Sequence, residues 1–395
     1  MTPKMLFSEV MKNFWQKIAS KKKPFFCLAP MADVTDAPFR KIIAKYSKHG
    51  IGRPKHGVSG TGGPDVFWTE FVSADGLASE KGRKRLLNDL KFSKGEKPIV
   101  AQIFGSKPEN IEIACKLISK LGFDGIDINM GCPDRKVEKQ GAGSAMMKSP
   151  AIAREVIRSA IKGAGKIPVS VKTRIGFNKI EYKEWLTEIL KEDISALTIH
   201  LRTRKELSDV PAHWELAKEI VDFVRKQKPE LVLIGNGDVI SLKQGRELAR
   251  ESGFDGIMIG RGIFGNPWLF ANSTRDSYRG SRIERPVKFA RQDKVENKKT
   301  IRHCDIDLKT NRYSPKIVRD DSGISVEQKL KALLEHTKLF EKTMLHHKRF
   351  DVMKKHFKAY VSGFDGAKEL RVKLMATNSS KEVAEIIKVF NNMAK

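Results

Sequence analysis

The sequence predicts an α/β protein of the (β/α)8 TIM-barrel class carrying a small all-helical domain at its carboxyl end. Three observations predict it. Between residues 24 and 270 short apolar runs alternate eight times with longer amphipathic stretches, the pattern of parallel strands joined by helical crossovers. No Gly-x-Gly-x-x-Gly follows the first run, which disfavours a doubly wound open sheet. Beyond Phe270 the texture changes, and from Ser325 apolar residues return at helical spacing.

The strand candidates, in order, are FFCLAPM (25–31), DVFWTEFVS (65–73), PIVAQIFG (98–105), FDGIDIN (123–129), PVSVKTR (168–174), ISALTIH (194–200), LVLIGNG (231–237) and FDGIMIG (254–260). Each is a short run that is apolar or alternates, as strands covered by helices do. PENIEIACKLISKLG, AIAREVIRSAIKG and SLKQGRELARESG supply crossover helices. Residues 1–270 thus form the barrel domain and 271–322 a basic linker without sustained periodicity. Residues 323–395 form a helical bundle whose last helix opens on a capping-box pattern, Ser379 to Glu382.

Lys and Arg number 75 against 47 Asp and Glu, a formal net charge of +28. An excess this large in an enzyme-like chain points to a polyanionic partner, and nucleic acid fits through counterion release from phosphates. No apolar stretch or lipid-anchor motif supports a membrane, and MLFSEVMKNFWQKIASKKK is amphipathic rather than a signal peptide. The four cysteines, Cys27, Cys115, Cys132 and Cys304, lie far apart with no Cys-x-x-Cys pair. That excludes a disulfide framework and a zinc pattern, and suits a reducing cytoplasm; no metal is expected.

In such barrels chemistry sits at the carboxyl ends of the strands. After the seventh and eighth runs come Gly235-Asn236-Gly237-Asp238 and Gly260-Arg261-Gly262, two glycine-rich turns where this fold holds phosphate. Lys172 and Arg174 are two residues apart and share one face of the fifth run, and His200 ends the sixth. Gln102 near the end of the third offers a donor and an acceptor to a heteroaromatic ring. Gln102, Lys172, His200 and the two turns together suit FMN. Cys132 lies just past the fourth run, between Gly131 and Pro133, where a thiol of ordinary pKa, about 8.5, can donate a proton. A proton donor beside a flavin suits reduction of an activated C=C bond. Cys27 and Cys115 lie inside apolar periodic runs and read as packing residues.

At this point the chain resembles the tRNA-dihydrouridine synthase family. The motifs are APMADVTDAPFR (29–40), AQIFG (101–105), INMGCPDRKVEKQGAGSAMM (128–147), SVKTRIGF (170–177), IHLRTR (199–204), IGNGD (234–238) and MIGRGIFGNPW (258–268), with KKHFKAYVSGFDGAKELR (354–371) in the helical domain. The resemblance implies reduction of the C5=C6 bond of tRNA uridine, with hydride from reduced FMN to C6 and a proton from Cys132 to C5. It implies FMN contacts from Pro30, Met31, Ala32, Gln102, Lys172, His200, Asn236, Gly237, Asp238, Gly260 and Arg261, with NADPH (or NADH) as reductant. Asn129, Lys136, Arg202 and Arg204 are the expected contacts to uracil or the RNA backbone, and a monomer suits an enzyme that wraps a large RNA. The sequence departs from the family at SDVPAHW (208–214) and in the insertion KHGIGRPKHGVSGTGGP (48–64). Two other readings compete. A small-molecule flavin barrel of the dihydroorotate-dehydrogenase kind leaves the charge and the helical domain without a use. A non-catalytic RNA binder leaves Cys132 without one.

Overall fold

The computed structural model describes residues 12–48, 63–274, 306–307, 312–313 and 324–393. Most of the basic linker, most of the insertion 48–64 and Cys304 lie outside them. Eight strands, β1 (Phe25–Leu28), β2 (Phe67–Ser73), β3 (Ile99–Phe104), β4 (Gly125–Met130), β5 (Val169–Arg174), β6 (Ala196–His200), β7 (Val232–Asn236) and β8 (Gly256–Ile259), form one parallel sheet. From β2 to β8 each strand pairs with its sequence neighbour, and β8 returns to β1. The β1–β2 seam closes through a bridge between Cys27 and Val66, with the Leu28 N–H donating to the Val66 carbonyl at 3.1 Å. The expected barrel is the fold observed.

Strand side chains alternate between the two faces, so each strand contributes one set of residues to the helices and another to the barrel interior. The interior changes character along its axis. At the amino end Phe25, Cys27, Trp68, Val100, Ala196, Val232, Ile234 and Met258 make one apolar cluster. Trp15, fully buried, plugs it from the helix Phe14–Lys21, its ring 5.4 Å from that of Trp68. That helix starts where Asn13 and Gln16 cap each other reciprocally, both at 3.1 Å. Two polar residues that interrupt the apolar pattern are therefore its start signal. Toward the carboxyl end the same inward registers bring Gln102, Asp127, Asn129, Ser170, Lys172, Thr198, His200 and Asn236.

The helices Val326–Met344, Val352–Tyr360, Ala367–Met375 and Ser380–Met393 build a second core from Leu330, Leu333, Phe340, Met353, Phe357, Leu374 and Val383, joined by Trp268 from the barrel side. The bundle rests on the helix Ala37–Lys48 that follows β1. Phe39 meets the buried rings of His336 and His356 at 5.6 and 5.3 Å, and Tyr46 meets Trp268 edge-on at 4.9 Å. Lys348 enters a pocket in the barrel and donates to both carboxylate oxygens of buried Glu70 at 2.7 Å, with Asp33 and Asp89 at 3.6 and 3.9 Å. Glu70 also accepts the N–H of Asp33, in the turn after β1. Among the described residues no helix is long and apolar enough to cross a membrane.

Candidate active site

The loop after β4 is organised around Cys132. The Asn129 Oδ1 accepts the N–H groups of Gly131 and Cys132 at 3.1 and 2.9 Å, and its amide nitrogen donates to Gln102 Oε1 at 3.0 Å. Asp134 caps the short helix Arg135–Glu138 through the Lys136 N–H at 2.8 Å. The chain folds back at Gly143, whose φ is +62°; a side chain there would place its Cβ 2.7 Å from the Cys132 carbonyl. Ser144 closes the loop, its N–H donating to that carbonyl at 3.0 Å. Burial pushes the Cys132 thiol above its ordinary pKa, and the Asp134 charge adds to this. The Asp134 N–H, Arg174 and Lys172 pull the other way without cancelling it. A fixed thiol that keeps its proton at neutral pH is equipped to act as an acid rather than a nucleophile.

Beside it, β5 and β6 bring a concentration of positive charge. Lys172 donates to Asn236 Oδ1 at 3.0 Å, while the Asn236 amide nitrogen donates to the Met258 carbonyl at 2.9 Å and so fixes the amide. Burial, then the neighbouring Arg174, bring Lys172 down to about 8. Arg174 ties two loops together, donating to the carbonyls of Gly131 at 2.8 Å and Thr203 at 2.9 Å. Burial and the surrounding cations hold His200 well below its ordinary pKa, so the ring is neutral. Its Nε2 faces the Arg202 guanidinium at 3.2 Å and accepts from it, which leaves the ring proton on Nδ1. Gln102 is buried, its amide nitrogen donating to Asp127 at 2.6 Å, and Ser170 donates to the same carboxylate at 2.6 Å.

The turns after β7 and β8 meet at Asp238. Its carboxylate accepts from Arg202, from the Ala212 N–H at 2.9 Å and from Arg261 at 2.7 Å. Gly237 has φ +140°, and its carbonyl accepts the Trp214 indole N–H at 2.8 Å. The SDVPAHW segment, where the sequence departs from the family pattern, thus props up this turn through Val210, Ala212 and Trp214. Met31 N–H donates to Thr35 Oγ1 at 2.9 Å, and Met31 lies beside Gly260, where an added Cβ would touch its sulfur at 3.6 Å. Pro30, Met31 and exposed Ala32 therefore border the same rim as Gly260 and Arg261.

The expected substrate contacts divide. Lys136 is exposed on the rim. Arg202 is fully buried, with Nε on the Val210 carbonyl and its terminal nitrogens on His200 and Asp238, so the structure makes it an internal strut rather than an exposed contact. Arg204 is ion-paired with Glu138 and lies over the Phe177 ring at 5.1 Å. Asn129 is spent largely on its own turn and on Gln102. Cys27 and Cys115 are buried, as expected, and burial pushes the Cys115 thiol up to about 12. Sequence reasoning places Arg174 beside Lys172 on one strand face without giving it a role, and it misses Asp127, Glu138 and Ser144 as site residues. Those three carry no local signal, because each depends on a partner from another strand, helix or loop.

The donor set fits a flavin mononucleotide. Lys172, Arg174 and Arg261 crowd positive charge around a rim whose inward residues also include Gln102 and Asn236. Below His200, on the same inward face, buried Thr198 Oγ1 finds no partner among the described residues. The model of the family described as "Dihydrouridine synthase (Dus)" matches residues 27–394. The chain belongs to the dihydrouridine synthase family. A relative from Bacillus subtilis (strain 168), "Probable tRNA-dihydrouridine synthase 2", is 38% identical over 380 residues, covering 96% of this chain and 97% of that one. A "Probable tRNA-dihydrouridine synthase" from Staphylococcus aureus (strain COL) is 37% identical over 381 residues, covering 96% of each. Among solved structures, an old yellow enzyme homologue from Zymomonas mobilis covers 67% of this chain and 91% of its own at 13% identity, with a TM-score of 0.41. Family membership makes the protein an FMN-dependent oxidoreductase acting on a CH–CH bond, forming dihydrouridine in tRNA with a nicotinamide dinucleotide as reductant. The small-molecule dehydrogenase reading is not favoured.

Proposed function

We propose that Cys132 gives the proton to uracil C5 when this dihydrouridine synthase reduces a tRNA uridine, and that the rim residues hold the cofactor beside it. The observation that carries the reading is a thiol kept protonated by burial, on a loop fixed at both of its ends. FMN, when bound, supplies the electron pair that goes to C6. Gln102, Lys172 and His200 hold and polarise its ring, and Asn236, Gly237, Asp238, Gly260 and Arg261, with Pro30, Met31 and Ala32, hold the rest of it. Neutral His200 donates from Nδ1. Charged Lys172 favours negative charge on the ring.

Lys136 and the basic faces of the four-helix domain dock the RNA. A uridine in folded RNA has to leave its stack, at a cost of a few kcal/mol, before it reaches the rim. Phosphate contacts from a chain of net charge +28 offset that cost. NADPH, or NADH, restores the electrons, and solvent restores the Cys132 proton. The protein acts as a monomer in the cytoplasm.

The test compares wild type with Cys132→Ala. The variant should retain its yellow flavin and oxidise NADPH as wild type does, while its dihydrouridine yield falls on the order of 10²–10⁴-fold, the usual worth of a placed acid. Undiminished dihydrouridine, measured by mass spectrometry of digested tRNA, removes the role of Cys132.

A further inference from the structure

The Cys132 loop is bound to the loop after β6 by groups that the reaction itself does not use. Glu138, at the end of the short helix that follows Cys132, receives Nε and Nη2 of Arg204 in a forked pair across 66 positions of sequence. The same carboxylate accepts the Ser144 hydroxyl at 2.7 Å. Ser144 in turn donates its N–H to the Cys132 carbonyl at 3.0 Å, and its hydroxyl oxygen stands 2.9 Å from that carbonyl. Arg204 is steadied from its own side, its N–H donating to Gly176 O at 2.8 Å and its guanidinium lying over Phe177.

Glu138 therefore stands where three elements meet: the Cys132 turn through Ser144, the β6 loop through Arg204, and its own capped helix. Its side chain is 14% exposed and that of Arg204 27%, so the pair is partly shielded from water. Arg204 and Ser144 hold the carboxylate below its usual range against the opposing effect of burial, which keeps the fork charged. A forked arginine–carboxylate pair fixes direction as well as distance, which a lysine or a single hydrogen bond does not.

We propose that Glu138 is a positioning residue for Cys132, clamping the turn that bears the thiol to the β6 loop through Arg204 and Ser144. The proposal rests on the reading of Cys132 as proton donor. It also gives Arg204 a use inside the protein in place of the RNA contact that its sequence context suggests.

The experiment uses the full-length, flavin-loaded enzyme and Glu138→Gln, which keeps an acceptor for Ser144 and removes the charged fork. The first readout needs neither tRNA nor reductant: the rate at which iodoacetamide alkylates Cys132, followed on the Cys132 peptide across pH. With the clamp released, alkylation should quicken several-fold, and its pH midpoint should fall toward that of an ordinary thiol. The second readout separates kcat from KM. kcat for dihydrouridine formation should fall on the order of 100-fold, the cost of a small misplacement of a reacting group, while KM for tRNA and flavin reduction by NADPH stay put. Should Glu138→Gln fold poorly, Ser144→Ala breaks the same link with a single hydroxyl and should shift both readouts in the same directions by less. Unchanged alkylation and kcat in either folded variant overturn the clamp. A rise in KM with kcat intact also overturns it, and returns Glu138 and Arg204 to RNA binding. Full dihydrouridine formation by Cys132→Ala, with the alkylation difference between wild type and Glu138→Gln still present, counts against the reading of Cys132 as proton donor and leaves the clamp standing.

Discussion

At the carboxyl rim of the barrel, Lys172, Arg174, His200, Arg202 and Arg261 crowd together, and Asp238 braces two of the arginines. Under the helical bundle the signs reverse: Lys348 enters a pocket walled by Asp33, Asp36, Glu70 and Asp89. Both places bury charge, and the neighbours respond in opposite directions. At the rim, burial and mutual repulsion lower Lys172 and His200. In the joint, burial of Lys348 is outweighed by the acids around it, so its pKa rises. Burial and Glu70 raise Asp36 to about 7. The joint neutralises its cation within the protein, whereas the rim keeps a positive surplus whose natural complement is an anion from outside. Charge density alone does not mark an active site; uncompensated charge of one sign does.

The contrast can be broken most forcefully in the joint. Lys348→Met leaves Glu70 buried without its cation, and removing one partner of such a pair costs about 3–5 kcal/mol. Urea unfolding near neutral pH should show a loss of that order; a loss under about 1 kcal/mol would mean that apolar packing holds the bundle in place without the ion pair.

A smaller effect is expected at the rim. Lys172 is charged below about 8 and neutral above, so the affinity of the apoprotein for FMN should decline as pH rises through that value. In Lys172→Met binding should be weaker below about 8, converge on wild type above it, and lose this pH dependence. Calorimetric titration gives both curves, and a pH-independent wild type would remove Lys172 from the cofactor's surroundings.

The smallest effect is expected at Asp36. Its folded pKa lies above its unfolded one, so its contribution to stability is complete below the ordinary carboxylate range and is lost progressively from there as pH rises through about 7. Asparagine imitates the protonated form and keeps an acceptor for the Phe39 N–H, now bonded at 3.0 Å. Asp36→Asn should therefore match wild type at acid pH and melt a few degrees higher above neutrality. Equal melting curves at both ends would show that Asp36 ionises in the fold without penalty.

The barrel was legible because its determinants are local. Eight runs keep strand periodicity, and the inward register carries Gln102, Asn129, Lys172, His200 and Asn236 to the polar end without reference to distant sequence. The turn chemistry of Gly143 and Gly237 was equally local. What could not be read depends on which charges meet. Arg202 and Arg204 are alike in IHLRTR, yet one is buried on Asp238 and the other clamps Glu138. Lys348 lies in a stretch with several other cations, and its partner Glu70 is 278 positions away. Alternation shows which side of a strand a residue faces; it says nothing about which acid a long cation will find.

Trp15 seals the barrel floor against Phe25 and Trp68, and the apolar layer above it, up to Ile234 and Met258, leaves the interior filled. The consequence is one of traffic. Among the described residues the barrel is closed at its amino end, so the way to its polar interior runs over the carboxyl rim, where Cys132, Lys172 and His200 lie.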